Sequence, residues 1–240
     1  MVNWFWRRGA RKRNDVPRLR PRTDADAATK VDLAELTPEP LVFLGRAAYL
    51  QLMIFENLSS AVASAPNADA KDTLSRVASA ALSRQRGLSA EIERRGAEAG
   101  ATMQPFTAEI DAFQRATQGA DWFETLVTCH VTAGFLGDFF SRLAAGLPAE
   151  TRTRLTPVLA ADTGAEQLAQ EIREAIEADP LLASRLAMWG RRLVGDTMLV
   201  ARASLATSTD RVSDESRIEP VFTELIAAHT RRMDALGLTA

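Results

Sequence analysis

The chain has 240 residues, of which 46% are hydrophobic and 25% charged, as in an ordinary globular protein. Ala and Leu are abundant and there is one Tyr, a bias that favours helices over strands. Cys129 is the only cysteine, which excludes an internal disulfide and a cysteine-based metal knuckle. The net charge of −2 conceals an asymmetry, because residues 1–22 carry +7 and the remainder therefore carries −9.

Residues 1–37 are predicted to be a disordered tail. A basic, proline-punctuated segment runs into an acidic, alanine-rich one, and neither contains much to bury. No run of 18 apolar residues predicts a transmembrane helix, and the N-terminus lacks the apolar stretch of a secretory signal. We therefore expect a cytoplasmic protein.

The tail begins with a compact aromatic and basic arm. Such a segment can lie on an anionic membrane surface, with its rings at the headgroup boundary, or bind RNA phosphates, or stay unattached. The aromatic residues lead the charges, which favours a peripheral position on the inner face of the membrane, whereas the acidic body argues against broad nucleic-acid binding. A homodimer is a further partner left open. The arm residues are Trp4, Phe5, Trp6, Arg7 and Arg8.

The rest of the chain predicts helices throughout. Capping residues, prolines, glycines and apolar spacing place them at 39–65, 69–97, 122–146, 150–178, 181–207 and 215–236. Residues 101–119 are predicted to form a crossover with a short helix. This pattern predicts an all-α protein: a ferritin-like up-down four-helix bundle over residues 38–208 with one long crossover, plus additional C-terminal helices. Residues 209–240 are predicted to form a C-terminal helix that packs on the bundle.

An acidic residue lies in the most hydrophobic stretch of the chain. Glu56 falls within LVFLGRAAYLQLMIFENL and precedes Arg84 by 28 residues, while Asp138 precedes Ala165 by 27. The two spacings describe a pseudo-repeat of two helical hairpins, each with an inward acid. A carboxylate-bridged metal site in a four-helix bundle is built in this way.

Such a site takes one Glu from each of two helices and a Glu-x-x-His pair from each of the other two. Of the six ligand positions, three keep an acid: Glu56, Asp138 and Asp162. The other three hold Ala81, Arg84 and Ala165, none of which binds a metal. Weaker candidates are Glu124, Glu166 and Asp196. Iron or manganese would be the expected metal.

Each candidate also has a structural interpretation. Glu56 could pair with Arg84, whose guanidinium would supply the positive charge of a metal, or it could be partly exposed. Asp162 could belong to a turn at DTG, and Glu124 could complement a helix dipole in the first turn. His130, six residues beyond Glu124, lies on another face and is expected to be packed or at the surface.

Three runs carry a family resemblance. RLAMWGRRLVGD at 185–196, which follows Asp179–Pro180, resembles the actinobacterial ferritin-like proteins grouped as MiaE-like, after the tRNA-modifying hydroxylase. FLGDFF around Asp138 and AADTG at 160–164 are similar to the same group, and the resemblance covers residues 38–208. It implies a ferritin-like bundle and, in the wider superfamily, a non-haem di-iron centre that activates oxygen. Asp196, where relatives favour Glu, is implied as another inward acid.

Two functions follow as hypotheses. The first is a ferritin-like scaffold or binding module with a degenerate site and no cofactor. The second is an oxygen-dependent hydroxylase with a di-iron, mononuclear iron or manganese centre, acting on a modified nucleotide. Arg84 favours the first, because a cation at that position takes the place of metal charge.

Overall fold

Helices form the regular structure of the described part of the chain. The computed structural model describes residues 33–206 and 211–238, with side chains over 33–206 and 218–238, and no strand occurs among them. The α-helices are α1 Pro40–Ala63, α2 Ala68–Arg94, α3 Ala99–Met103, α4 Thr107–Ala116, α5 Trp122–Leu143, α6 Ala149–Leu159, α7 Ala165–Ala178, α8 Pro180–Ala203 and α9 Arg211–Ala235. This confirms the predicted all-α class. The N-terminal arm lies outside the described residues.

The bundle is built from two hairpins and a crossover. α1 packs along α2 through a short connection, α5 packs against α1, and α7 contacts both α2 and α5. α6 packs on α2, so α6 and α7 together occupy the place of the fourth helix. The crossover between α2 and α5 contains α3 and α4, where one short helix was predicted. α8 packs on α5, and α9 contacts α5 and α8.

The fourth helix is interrupted, which corrects the continuous helix predicted over 150–178. α6 ends at Leu159 and α7 begins at Ala165. Between them the Asp162 carboxylate accepts a hydrogen bond from the Gly164 amide at 2.9 Å, and Gly164 has a φ of +69°. Gly164 directly precedes α7, and its left-handed conformation lies outside helical geometry. A β-carbon at Gly164 would also lie 2.6 Å from the Val77 side chain.

α1 is the central helix of the hydrophobic core. By length and composition it is the one helix among the described residues that could cross a membrane, but 56% of its most apolar window is buried inside the protein. Phe43 and Leu44 are essentially fully buried. At Gly45 a β-carbon would lie 2.3 Å from the Thr102 carbonyl oxygen, so this glycine permits close approach to α3. These contacts are typical of a core helix in a bundle.

Residues before the predicted boundary at residue 38 pack onto the bundle. Leu33 and Leu36 form a 3-10 turn and are both buried. The Thr37 hydroxyl donates to the Leu143 carbonyl at 2.5 Å, and the Ala206 amide donates to the Leu36 carbonyl at 2.9 Å. Two buried leucines three positions apart therefore anchor this segment at one end of the bundle. The alanine-rich, acidic composition of the segment hid this pair when the boundary was predicted from the sequence.

Candidate ligand pocket at the centre of the bundle

A small cavity lies between α1, α2, α5 and the start of α7. Its volume is about 20 Å³, which is enough for one water-sized group. Most of its wall is apolar and contributed by small or aliphatic side chains. The polar or titratable side chains in the wall are Gln51, Arg84, Cys129, His130 and Thr163. The pocket thus lies in the core between facing helices, the part of a helical bundle in which metal sites are built.

Arg84 is the only charged residue in the cavity wall. It is 7% exposed, and its Nη2 donates to the carbonyl oxygens of Leu159 at 3.0 Å and Ala161 at 2.7 Å. Burial lowers the pKa of Arg84, and the nearby Asp162 carboxylate acts in the opposite direction. The last carbonyls of a helix lack intrahelical donors. Arg84, on the neighbouring helix α2, therefore supplies hydrogen-bond donors to the backbone carbonyls at the C-terminal end of α6.

The predicted ion pair between Glu56 and Arg84 is wrong. Glu56 is exposed, although it lies in the most hydrophobic stretch of the sequence. The pKa of the Tyr49 phenol is raised to about 12, mainly by burial and next by Asp111. The negative charge of Glu56 makes the smallest contribution to this rise. The Tyr49 hydroxyl donates to Asp111 at 2.7 Å. Glu56 thus lies on the outward face of α1, away from the cavity.

The other two predicted ligands also have structural partners outside the cavity. Asp138 is 40% exposed and forms an ion pair with Arg232 from α9. Asp162 is exposed and stabilises the turn between α6 and α7 through the Gly164 amide, which is the structural interpretation of the DTG run. None of the three acids lines the central cavity.

The weaker candidates are held in ion pairs or lie on another surface. Glu124 accepts hydrogen bonds from Arg185 at 2.9 Å and from the Ala120 amide at 2.8 Å, at the first turn of α5. Glu166 pairs with Arg173 at 2.6 Å on α7. Asp196 lines a separate groove between α4 and α8. Glu124 therefore supports a helix terminus, as its position in the first turn indicated.

His130 and Cys129 are buried against the cavity. The Nδ1 atom of His130 has no hydrogen-bond partner, and the residue is 7% exposed. Burial, followed by the charge of Arg232, lowers the His130 pKa to about 4, so the imidazole is neutral at pH 7. Burial raises the pKa of the Cys129 thiol to about 12, which keeps it protonated. Neither side chain is charged under neutral conditions.

These residues do not fit a carboxylate-bridged metal centre. Within the described ranges, no group of three or more His, Cys, Asp or Glu side chains is arranged to hold a metal ion. The inward face of α2 presents Ala81 and Arg84, and α7 presents Ala165. The interruption of the fourth helix also removes the i, i+3 register on which a ligand pair would depend.

A larger cleft of about 400 Å³ lies between α1, α4 and α5. Several of its polar groups already bind one another or the backbone. Gln114 donates to Asn57 at 2.8 Å, and the Trp122 indole donates to the Ala61 carbonyl at 3.1 Å. Asp121, also in this cleft, pairs with Arg185 at 2.5 Å. The cleft therefore lacks the buried polar atoms without partners that distinguish the central cavity.

The strongest charge cluster was missed from the sequence. The Glu91 side chain is 1% exposed and contacts Arg94 at 2.9 Å, Arg95 at 3.4 Å and Arg154 at 2.8 Å. Hydrogen bonding to Arg154 is the largest effect, and together with Arg94 it lowers the Glu91 pKa to about 2 against the opposing effect of burial. The i, i+3 and i, i+4 spacing on α2 gave a local signal. Arg154, the partner on α6, is 63 residues from Glu91 and gave no such local signal in the sequence.

Comparison with known proteins identifies the fold family. The family model described as "Ferritin-like domain, actinomycetes" matches residues 40–224. No curated protein matches the chain. The match covers most of the chain and includes every helix that surrounds the central cavity.

Proposed function

This chain belongs to the actinomycete ferritin-like domain family, and we propose that it acts as a scaffold or binding module and not as a metal-dependent hydroxylase. The observation that supports the proposal is Arg84, a buried cation in the wall of the cavity at the centre of the bundle. A hydroxylase of the alternative type would need carboxylates and imidazoles at that place.

Electrostatics gives the size of the obstacle to a metal. Two unit charges about 4 Å apart interact by roughly 4 kcal/mol at an effective dielectric constant of about 20. A divalent ion beside the Arg84 guanidinium would therefore be repelled by roughly 8 kcal/mol. The cavity wall contains no carboxylate that could offset this repulsion.

Anaerobic reconstitution with ferrous iron tests the proposal. The full chain is loaded, desalted and measured by elemental analysis, with an established di-iron protein treated in parallel as a positive control. We expect no iron above the level of a buffer-treated sample. Binding of about two irons per chain, with an optical band that develops on exposure to oxygen, would overturn the proposal and favour the hydroxylase.

A further inference from the structure

We propose that the outer face of α8 is the contact surface of a homodimer, in which α8 of one copy packs antiparallel on α8 of a second copy. This face consists of the exposed positions that recur three or four residues apart from Leu181 to Leu199. It lies away from the central cavity, whose wall contains no residue of α8. The inference therefore goes beyond the proposed function and does not depend on whether iron binds.

Three large apolar side chains form a stripe along the face. Leu181, Met188 and Leu199 are 85%, 66% and 65% exposed, whereas the other exposed large apolar side chains of the described residues are only 36% to 43% exposed. Leu181 and Leu199 lie about five turns apart and Met188 about two turns after Leu181, so all three project from one side. The outer side of a surface helix is ordinarily polar, and an exposed apolar stripe marks an interaction surface.

A glycine continues the stripe between Met188 and Leu199. Gly195 is exposed, and a β-carbon added there would have no atom of the protein within 4 Å. The absence of a side chain leaves room for a long side chain of a packed helix. Arginines border the stripe, and an apolar centre with arginine nearby is the usual composition of a protein interface.

The charges around the face favour a second copy over an anionic partner. An anionic membrane or a strongly acidic helix would be attracted by an excess of positive charge, but arginines and acids are equal in number here. An antiparallel pair also avoids the like-charge contacts of a parallel pair, in which every arginine would lie beside its own copy. The charged residues on this face, at its edge or paired with it are Arg185, Arg191, Arg192, Asp121, Glu124 and Asp196.

A two-fold axis opposite residue 190 makes the stripe complementary to itself. It places Leu181 of each copy opposite Leu199 of the other, so the two exposed leucines bury one another. It also places Met188 opposite the aliphatic stem of Arg192, whose guanidinium lies over the Trp189 ring of its own chain. Arginine stems cover apolar surface in this way while the charged group stays in water.

The same register gives Asp196 a partner. No hydrogen bond or ion pair joins its carboxylate to another residue in the described part of the chain. In the dimer Asp196 lies opposite Ser184 of the second copy, whose hydroxyl can donate to it, and one residue from Arg185. The Arg185 side chain is 42% exposed and already pairs with Asp121 and Glu124, but its guanidinium has five N–H donors.

The area of the contact predicts a weak dimer. α8 has 24 residues, which makes it about 36 Å long, and a helix with its side chains is about 10 Å wide. Two such helices in contact bury on the order of 1,000 Å² in total, which is at the low end for a specific interface. We therefore expect a dimer that dissociates on dilution.

Sedimentation of the full chain from about 5 µM to about 500 µM tests the dimer. We expect the mass to rise from one chain toward two with concentration, and L199E to weaken association at least tenfold. I226E is the matched control, because Ile226 is an exposed apolar residue of α9 and its substitution should leave association unchanged. A single-chain mass at every concentration, or equal weakening by L199E and I226E, would overturn the proposal. M188E replaces L199E if circular dichroism shows that L199E is unfolded.

Cysteine cross-linking tests the antiparallel orientation. Cys129 is buried, and burial raises the pKa of its thiol to about 12, so an introduced cysteine is the reactive one. Only the antiparallel arrangement brings position 181 opposite position 199. A mixture of L181C and L199C should therefore give more disulfide-linked dimer on oxidation than either variant alone. A mixture that links no better than the separate variants would overturn the arrangement.

Lipid vesicles test the other occupant of the face. Vesicles of phosphatidylcholine and phosphatidylserine are floated with the unmodified chain and with L199E, and we expect no binding that depends on Leu199. Vesicle binding that L199E abolishes, in a chain that does not dimerise, would refute the homodimer in favour of a membrane surface. The iron measurement is independent of all three tests, so the proposed function stands or fails separately.

Discussion

Glu91 provides the sharpest test of the energetics of this fold. Its side chain is 1% exposed and contacts three arginines: Arg154 of α6, Arg94 at the end of α2, and Arg95, which directly follows α2. The substitution E91Q keeps the shape of the side chain and removes its charge. It leaves the arginines facing one another around a neutral amide, and we expect it to loosen the contact between α2 and α6.

The magnitude follows from the pKa. The Glu91 pKa falls from an ordinary 4.5 to about 2 in the folded protein, and each pKa unit corresponds to 1.36 kcal/mol. The upper bound is therefore about 3 kcal/mol in the free energy of unfolding. The arginine side chains are 26% to 54% exposed, so solvent screens part of this interaction. We expect about 2–3 kcal/mol after that screening.

The pH dependence gives a second, independent readout. Because the folded pKa lies below the unfolded pKa, the stabilisation is fully present above about pH 5 and is lost as the pH falls through 4.5 toward 2. Urea unfolding followed by circular dichroism, for the unmodified chain and E91Q in parallel, measures the difference at each pH. Effects of other titrating groups largely cancel in that difference.

The control is E150Q, which removes the negative charge of the other carboxylate that contacts Arg154. The Glu150 side chain is 85% exposed and contacts Arg154 at 2.5 Å, so its loss should cost less than about 1 kcal/mol. Equal destabilisation by E91Q and E150Q at pH 7 would refute the reasoning. So would a difference between the unmodified chain and E91Q that stays constant from pH 6 to pH 3.

Two further predictions concern helix contacts. G45A should destabilise the protein by about 1–3 kcal/mol in urea unfolding, because its β-carbon would meet the Thr102 carbonyl. G137A has no atom within 4 Å of its β-carbon and should be neutral or stabilise the protein by up to about 1 kcal/mol. If G137A destabilised the protein more than G45A, the packing described for Gly45 would be contradicted. T128V should cost about 1–3 kcal/mol because the Trp189 indole donates to the Thr128 hydroxyl at 2.9 Å. T128S should restore most of this stability and the indole fluorescence, and failure of T128S to do so would argue against the hydrogen bond.

The helices were predictable because their signals are local. Asp121 directly precedes α5 and Asp179 directly precedes α8, and each accepts a hydrogen bond from an early amide of its helix. Gly96 and Pro105 interrupt the helical pattern on either side of the start of the crossover. Periodicity and capping depend on neighbours within a few residues, so the sequence carries them directly.

The interior of the bundle was less predictable because its contacts are distant in sequence. Glu56 lies in an apolar run, yet one helical face of that run is exposed and takes the carboxylate. Arg84 was assigned to the inward face correctly, but its acceptors are backbone carbonyls 75 and 77 residues away. No side-chain pattern indicates a carbonyl acceptor, because it exists only where α6 ends.

The gap between α6 and α7 also bears on the design of metal sites in this scaffold. Placing glutamates at Ala81 and Arg84 would remove the guanidinium and add carboxylates, but the carbonyls of Leu159 and Ala161 would lose their donor. The partner helix would still lack a continuous turn opposite them. An engineer who wanted a metal here would first have to replace the five residues 160–164 with helix, and only then choose ligands.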